Sequence, residues 1–340
     1  MKIAIDCRYL GLSGIGRFLE SILDSFDFSK HDFYLIGDLN KTKKYQGANY
    51  INDLNSPFSI KGLFKSDVKF INSCDVYFTP NFIVPYGIKT RVVSMLHDII
   101  FMDHKEWNKN IIDTIEKKHL LARGLKVSDK VFTVSNFSKT RIGYYYPKYA
   151  NKVEAHYPGV SSKFINKFDN NDKQDYIIYV GNVKKSKGLK TLLEAMELIK
   201  DNNIKLYIVG DNSSFRNKDK EIEKYFANPN VEFSGKIDDE SLIKLVQKAR
   251  FLIQPSFYEG FGSTPIEALN LGTKPIISDI EVFKEVYSCL PVEFFKTGDA
   301  HDLADKILNT DYKFSLDCKD MNDKYSYINY SSIIYNELTK

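Results

Sequence analysis

Cysteine is scarce in these 340 residues: Cys7, Cys74, Cys289 and Cys318 lie far apart and never in a Cys-x-x-Cys spacing. That argues against a zinc site and against a disulfide framework, and predicts a reducing cytoplasm. Long apolar runs are missing as well. No stretch approaches the ~18 apolar residues of a bilayer-crossing helix, and the amino-terminal MKIAIDCRYL is interrupted at Asp6 and Arg8, well short of a signal-peptide core. A large charge of one sign is also absent. Lys plus Arg number 48 against 44 Asp plus Glu, a surplus of +4 that is too mild for a nucleic-acid binder, so no nucleic-acid partner is expected. The six histidines do not cluster at ligand spacing, and no Asp-x-Asp pair stands at a strand end, so no metal site is expected.

What remains is an ordinary water-facing composition, 43% hydrophobic and 27% charged, in a chain long enough for roughly two domains. The charge is unevenly distributed. Residues 1–170 hold 25 basic and 17 acidic side chains, whereas residues 171–340 hold 23 and 27. A positive first half suits contact with an anionic membrane surface, although a scattered solvated surface would give the same count.

Short runs rich in β-branched and aromatic residues alternate with stretches of helical period, the pattern of parallel strands joined by crossover helices. In the first half the runs are Lys2–Asp6, Phe33–Gly37, Asp75–Phe78, Arg91–Leu96, Lys130–Val134 and Val153–His156. The second half repeats the pattern at Tyr176–Val180, Lys205–Val209, Val231–Phe233, Phe251–Gln254, Pro275–Ser278 and Val292–Phe294. A polar segment, SSKFINKFDNNDKQD, separates them and predicts a domain boundary near residue 170. Leu189, Leu192, Leu193, Met196 and Ile199 recur on one helical face. Two doubly wound sheets facing each other would form a cleft, with ligands at the carboxyl ends of the strands.

The densest chemical cluster is PSFYEGFGSTPIEALNLGTKPIIS, Pro255 to Ser278, directly after an apolar run. Gly260 and Gly262 permit close backbone approach, and Thr264-Pro265 opens a helix whose amides would suit phosphate or sugar oxygens. Thr264-Pro265-Ile266-Glu267 also fits a capping box, with Glu267 bonding back to the cap residue. Glu259 stands in the loop before Gly-Phe-Gly. In the first half, Gly14 and Gly16 mark a turn between the first strand and its helix, and His97 ends a strand beside Asp98. Residues 107–125 mix Ile111, Ile112, Ile115, Leu120 and Leu121 with lysines, a pattern of either sheet packing or membrane contact.

Glu259 and Glu267, separated by seven residues inside PSxxEGFGxxPIEALxxGxxPIxS, resemble the signature of the retaining glycosyltransferases of family four, which have the two-domain GT-B fold. IAIDCRYLGLSGIGRFLESIL, SMLHDIIF, KVFTVSNFSKTRI, PGVSSKF and YVGNVKKSKGLKTLLEA resemble further family elements in the same order, over nearly the whole chain. The resemblance implies an acceptor-binding first domain over 1–170 and a nucleotide-sugar-binding second domain over 171–324, with a closing helix over 325–340 that returns to the first. It implies that Lys187 neutralises the donor diphosphate, that His97 and Glu259 meet the donor sugar, and that Glu267 meets the ribose. It also brings Gly16, Asn182, Gly260, Phe261, Gly262, Ser263 and Thr264 to the donor.

The chain departs from the family where many relatives carry Arg after the loop glycine: here Gly181 is followed by Asn182. Lys184, Lys185 or Arg17 would then have to supply that cation, although an ammonium does not reproduce a bidentate guanidinium. The expected reaction is retaining transfer of a hexose from a nucleoside-diphosphate sugar to a glycan acceptor, lipid-linked, at the cytoplasmic face of a bacterial inner membrane. No cofactor or divalent metal is expected. The likeness to mannosyltransferase members carrying GIGR makes GDP-mannose the first donor, with O-antigen, capsule or exopolysaccharide as the product class. A non-catalytic partner of the same fold and a sugar-nucleotide epimerase are the alternatives.

Overall fold

Strand pairing sorts the chain into two separate all-parallel sheets. The first contains β1 (Lys2–Asp6), β2 (Asp32–Gly37), β3 (Asn49–Asn52), β4 (Val76–Thr79), β5 (Arg91–Leu96), β6 (Lys130–Thr133) and β7 (Val153–Ala155), in the order β3-β2-β1-β4-β5-β6-β7. The second contains β8 (Gln174–Val180), β9 (Lys205–Val209), β10 (Val231–Gly235), β11 (Ala249–Gln254), β12 (Lys274–Ser278) and β13 (Glu293–Phe295), in the order β10-β9-β8-β11-β12-β13. This computed structural model describes residues 1–64, 67–165, 167–210, 222 and 224–340. Each run read as a strand from the sequence is one. The strand that went unread is β3, a four-residue edge strand, Asn-Tyr-Ile-Asn, too short and polar to show a period.

The helices follow from their apolar faces. Leu189–Leu198 buries Leu189, Leu192, Leu193 and Met196 against β8 and β9 residues Ile177, Leu206 and Ile208. The helix Ile111–Val127 divides its apolar residues by position: Leu121 and Leu125 enter the core with Leu96 and Val131, whereas Ile111, Ile112 and Ile115 are 75%, 63% and 60% exposed. Sheet packing therefore accounts for only its second half.

One unit comprises Met1–Gly159 with Tyr325–Lys340, the other Val160–Lys324. The division thus falls ahead of the position near residue 170 that the polar composition suggested. Residues 160–170 are held by the second unit: Phe164 is buried, Phe168 stands edge-on to Phe314, and the Asn170 side chain donates to the Phe314 carbonyl at 2.8 Å. The terminal helix Tyr327–Leu338 packs on the first unit with Tyr330, Ile334 and Leu338 buried. Arg91 clamps it by donating to the Glu337 carbonyl at 2.9 Å and pairing with the Glu337 carboxylate.

Strand β1 ends in a buried charge network. Arg8 donates to both oxygens of Asp6, at 2.8 and 2.7 Å, and to the Gly62 carbonyl at 3.0 Å. The Tyr77 hydroxyl donates to Asp6 at 2.9 Å. Burial alone would depress the guanidinium; Asp6, with help from Tyr77 and Asp53, overrides it and raises the pKa above the ordinary value. Asp6→Ala strands that cation in the interior and is expected to cost about 3–5 kcal/mol. A urea midpoint unchanged from the parent would refute this.

The second unit depends on a close backbone approach. Gly188 has φ +66°, and a Cβ there would lie 1.8 Å from the Pro255 carbonyl oxygen. Gly188→Ala is expected to destabilise by more than 1 kcal/mol, since strain in the left-handed region alone costs about 1–3 kcal/mol. Gly14→Ala, within the helix Ser13–Leu23 and with open space around its Cβ, is the control and should not lower the melting temperature.

Candidate active site

Strands β8 and β11 are paired neighbours, yet the chain runs from β8 to β9 on one side and from β11 to β12 on the other. The loops after them therefore open at the point where strand order reverses, the place where open α/β sheets bind ligands. The Gly188 approach brings these loops together. Phe257 and Tyr258 donate their backbone N–H groups to the Ser186 carbonyl at 2.8 and 3.4 Å. The loop after β8 is fixed at its start by the buried Tyr179 hydroxyl, which donates to the Asn182 carbonyl at 3.1 Å. Burial, reinforced by the Glu259 charge, keeps that phenol protonated.

The stitching delivers Lys187 onto Glu259. The ammonium lies 2.6 Å from Oε1 and 2.7 Å from Oε2. Glu259 is 8% exposed, and its Oε1 also accepts from Ser256 Oγ at 2.8 Å and from Gln254 Nε2 at 3.1 Å. Gln254 in turn donates to Ser256 Oγ at 2.9 Å. A buried carboxylate needs such donors, because an isolated charge out of water is costly. Sequence reasoning singled out neither Ser256 nor Gln254. Ser256 was legible as part of the PSxxEGFG frame; Gln254 looked like the last residue of an apolar strand.

The neighbouring glutamate is differently placed. The helix Thr264–Asn270 has Ser263, not Thr264, as its cap residue, and no side chain caps it. Ser263 Oγ instead donates to Glu267 Oε1 at 3.0 Å. The capping box read from the sequence is therefore off by one residue, and the Glu267 carboxylate accepts from the Ser263 hydroxyl. Gly262 has φ +77°, and a Cβ there would lie 2.7 Å from the Phe283 ring, so the tight turn before the helix requires glycine. Phe261 is buried. Gly260 is buried, Thr264 is half-buried, and Asn182, Lys184, Lys185 and Arg17 are exposed.

In the first unit His97 follows β5. Its ring meets Phe18 edge-on at 4.8 Å, and Nε2 lies 3.0 Å from the Pro80 carbonyl oxygen. Burial, partly offset by that carbonyl and by Asp98, holds the imidazole below its ordinary pKa, so it is neutral at pH 7. Facing an acceptor, Nε2 must carry the proton, which leaves Nδ1 as a lone-pair acceptor. Asp98 braces the turn by accepting from the Ile100 amide at 3.0 Å. Gly14 and Gly16 lie inside the first helix rather than in a turn before it, and neither has positive φ. Gly16 serves close packing: a Cβ would lie 2.5 Å from the Tyr9 carbonyl oxygen. Among the described residues, no three His, Cys, Asp or Glu side chains form a metal-sized cluster.

Residues 160–310 match the family of glycosyl transferases group 1. The O-antigen chain mannosyltransferase B of Escherichia coli is 26% identical over 228 residues, covering 62% of this chain and 58% of that protein. The GDP-mannose:cellobiosyl-diphosphopolyprenol alpha-mannosyltransferase of Xanthomonas campestris is 32% identical over 111 residues, 32% of this chain and 29% of that protein. The match thus spans less than two thirds of either relative. A crystal structure of a glycosyltransferase from Rickettsia africae ESF-5 superposes with a TM-score of 0.70 at 18% identity, covering 100% of this chain and 98% of that one, which establishes a shared fold. Two Rossmann-like units with these strand orders are those of the GT-B fold. Residues 160–310, less than half of the chain, are thus similar to the glycosyl transferases group 1 family, and the two-unit fold is shared with solved glycosyltransferases.

Proposed function

We propose that this protein transfers a hexose, with retention of anomeric configuration, from a nucleoside-diphosphate sugar to a lipid-linked glycan during assembly of a bacterial surface polysaccharide. GDP-mannose is the first donor to test, a choice supported by the names of the two mannosyltransferase relatives. The observation that carries the reading is the Lys187–Glu259 pair at the strand-order reversal. When the anomeric C–O bond breaks, negative charge grows on the diphosphate and positive charge on the sugar. A fixed ammonium answers the first charge and a fixed carboxylate the second.

In this reading Lys187 meets the departing diphosphate without a divalent ion, assisted by the backbone of Gly260, Phe261, Gly262, Ser263 and Thr264. Asn182 and Gly16 line the donor. Glu259 accepts from sugar hydroxyls and Glu267 from ribose hydroxyls. His97 orients the sugar through its neutral ring or backbone carbonyl. No second carboxylate is assigned as nucleophile. The acceptor hydroxyl attacks the face the diphosphate leaves, its oxygen bonds to the anomeric carbon, and its proton passes to the departing phosphate oxygen.

The membrane contact is proposed for the first unit, which carries 24 basic and 17 acidic residues. Phe64, 59% exposed, stacks on Tyr86, whose hydroxyl lies 3.1 Å from His119 on the helix that exposes Ile111, Ile112 and Ile115. These exposed apolar side chains on a basic unit are suited to an anionic bilayer at the cytoplasmic face.

Purified protein should transfer sugar from one of GDP-, UDP- or dTDP-hexoses to an extract of lipid-linked glycans, with EDTA leaving the rate unchanged. Lys187→Ala and Glu259→Ala should each lower the rate about a hundredfold or more. Absence of both transfer and donor binding across the panel refutes the reading; interconversion of the donor sugar without acceptor would favour an epimerase. In vesicle flotation, the protein should rise with anionic but not neutral vesicles, less so at high salt. A triple Ile111→Ser, Ile112→Ser, Ile115→Ser variant should stay behind, and its undiminished flotation would refute the assigned face.

A further inference from the structure

The two groups assigned to opposite parts of the donor are bonded to each other here. Lys187 directs its ammonium at both oxygens of Glu259, 2.6 and 2.7 Å away, so the cation needed by a diphosphate is already engaged. The partners differ in solvent access: the Lys187 side chain is 28% exposed and that of Glu259 9%. Lys187 has room to turn; Glu259 does not. The carboxylate also has donors besides the lysine. Ser256 Oγ and Gln254 Nε2 both reach its Oε1. Ser256 is fully buried, and its backbone is pinned by the Ser278 hydroxyl, which donates to the Ser256 carbonyl at 2.5 Å.

We infer that the Lys187–Glu259 pair is a latch that a nucleoside diphosphate must open, and that Ser256 and Gln254 are positioning residues holding Glu259 once Lys187 has turned to phosphate. This rests on the reading of the site as a donor-diphosphate site. The physical reason is the asymmetry of leaving a buried group unpaired. If Lys187 left and nothing else donated to Glu259, an almost buried carboxylate would stand alone, and the exchange would be strongly opposed. The hydroxyl and amide donors remain in place and lower that opposition. Diphosphate, which carries more negative charge than one carboxylate, then competes successfully for the ammonium.

The two kinds of substitution have opposite signs. Removing the charge of Glu259 frees Lys187 and tightens diphosphate binding. Removing the Ser256 donor makes Glu259 depend more on Lys187 and weakens binding. A pair serving only to hold the fold would give no such opposition.

Calorimetric titration with GDP, UDP and dTDP in metal-free buffer tests this, with thermal melting to confirm that each variant is folded. The diphosphate that binds the parent should bind Glu259→Gln about tenfold more tightly, the scale of one charge-assisted hydrogen bond. Ser256→Ala should bind it several-fold more weakly, and Lys187→Met more weakly still. Adding Glu259→Gln to Lys187→Met should bring no gain, because no ammonium is left to free. If Lys187→Met loses affinity while Glu259→Gln gains none, the latch is overturned and the donor-site reading stands. If Ser256→Ala, folded, binds as the parent does, its positioning role is overturned. If the parent binds none of the three nucleotides, both readings fall together.

Discussion

The chemistry of the second unit depends on a backbone contact that only glycine permits. Gly188, in the left-handed region, lets the loop after β8 lie directly against the Pro255 carbonyl after β11. With the loops that close, two backbone amides of one bond to a single carbonyl of the other, and Lys187 and Glu259 come within ion-pair distance. Sheet topology makes the meeting possible, because β8 and β11 are adjacent in space although far apart in sequence. The lysine–glutamate geometry is therefore a consequence of strand order and one conformationally permissive residue, and each side chain contributes only its charge.

The first unit uses the equivalent strand ends differently. At the end of β1 the cation Arg8 is enclosed by Asp6, Asp53 and the Gly62 carbonyl, with all three charged groups nearly out of solvent. That guanidinium braces the loops of its own unit. Lys187, by contrast, has Glu259 as its one acidic partner among the described residues and partial solvent access, the condition for exchanging one anion for another. His97 belongs to a third kind of arrangement: a neutral ring fixed by Phe18 and the Pro80 carbonyl, one nitrogen committed and the other left as an acceptor. Phe18 in turn packs edge-on against Tyr330 of the terminal helix, so the returning carboxyl-terminal segment supports the histidine through a chain of aromatic rings.

Period and composition made much of this legible. Parallel strands buried on both faces appear as short β-branched runs, and the stripe Leu189, Leu192, Leu193, Met196 could belong only to a helix lying on a sheet. Local patterns misled where a tertiary contact intervened. The polar segment after residue 160 looked like a linker, but a buried Phe164 and the Asn170–Phe314 bond attach it to the second unit. Thr264 looked like a cap because of its spacing to Glu267, yet the turn at Gly262 starts the helix one residue earlier than that pattern implied. Gly16 looked like a turn residue and proved to be a packing residue.

By itself the sequence determined the two-sheet α/β architecture, the order of its elements and the types of residue available at the strand ends, because these are carried by periodicity and by motifs continuous along the chain. The likeness to the glycosyl transferases group 1 family was legible for the same reason, through contiguous residues such as those from Pro255 to Ser278. Only the tertiary structure decided that Lys187 pairs with Glu259, that Ser256 and Gln254 share the same carboxylate oxygen, and that Arg8 is enclosed while Lys187 is accessible. Lys187 and Glu259, and Arg8 and Asp53, are dozens of positions apart, and even for near neighbours such as Ser256 and Glu259 distance, burial and the direction of a hydrogen bond exist only once strands have paired and loops have met.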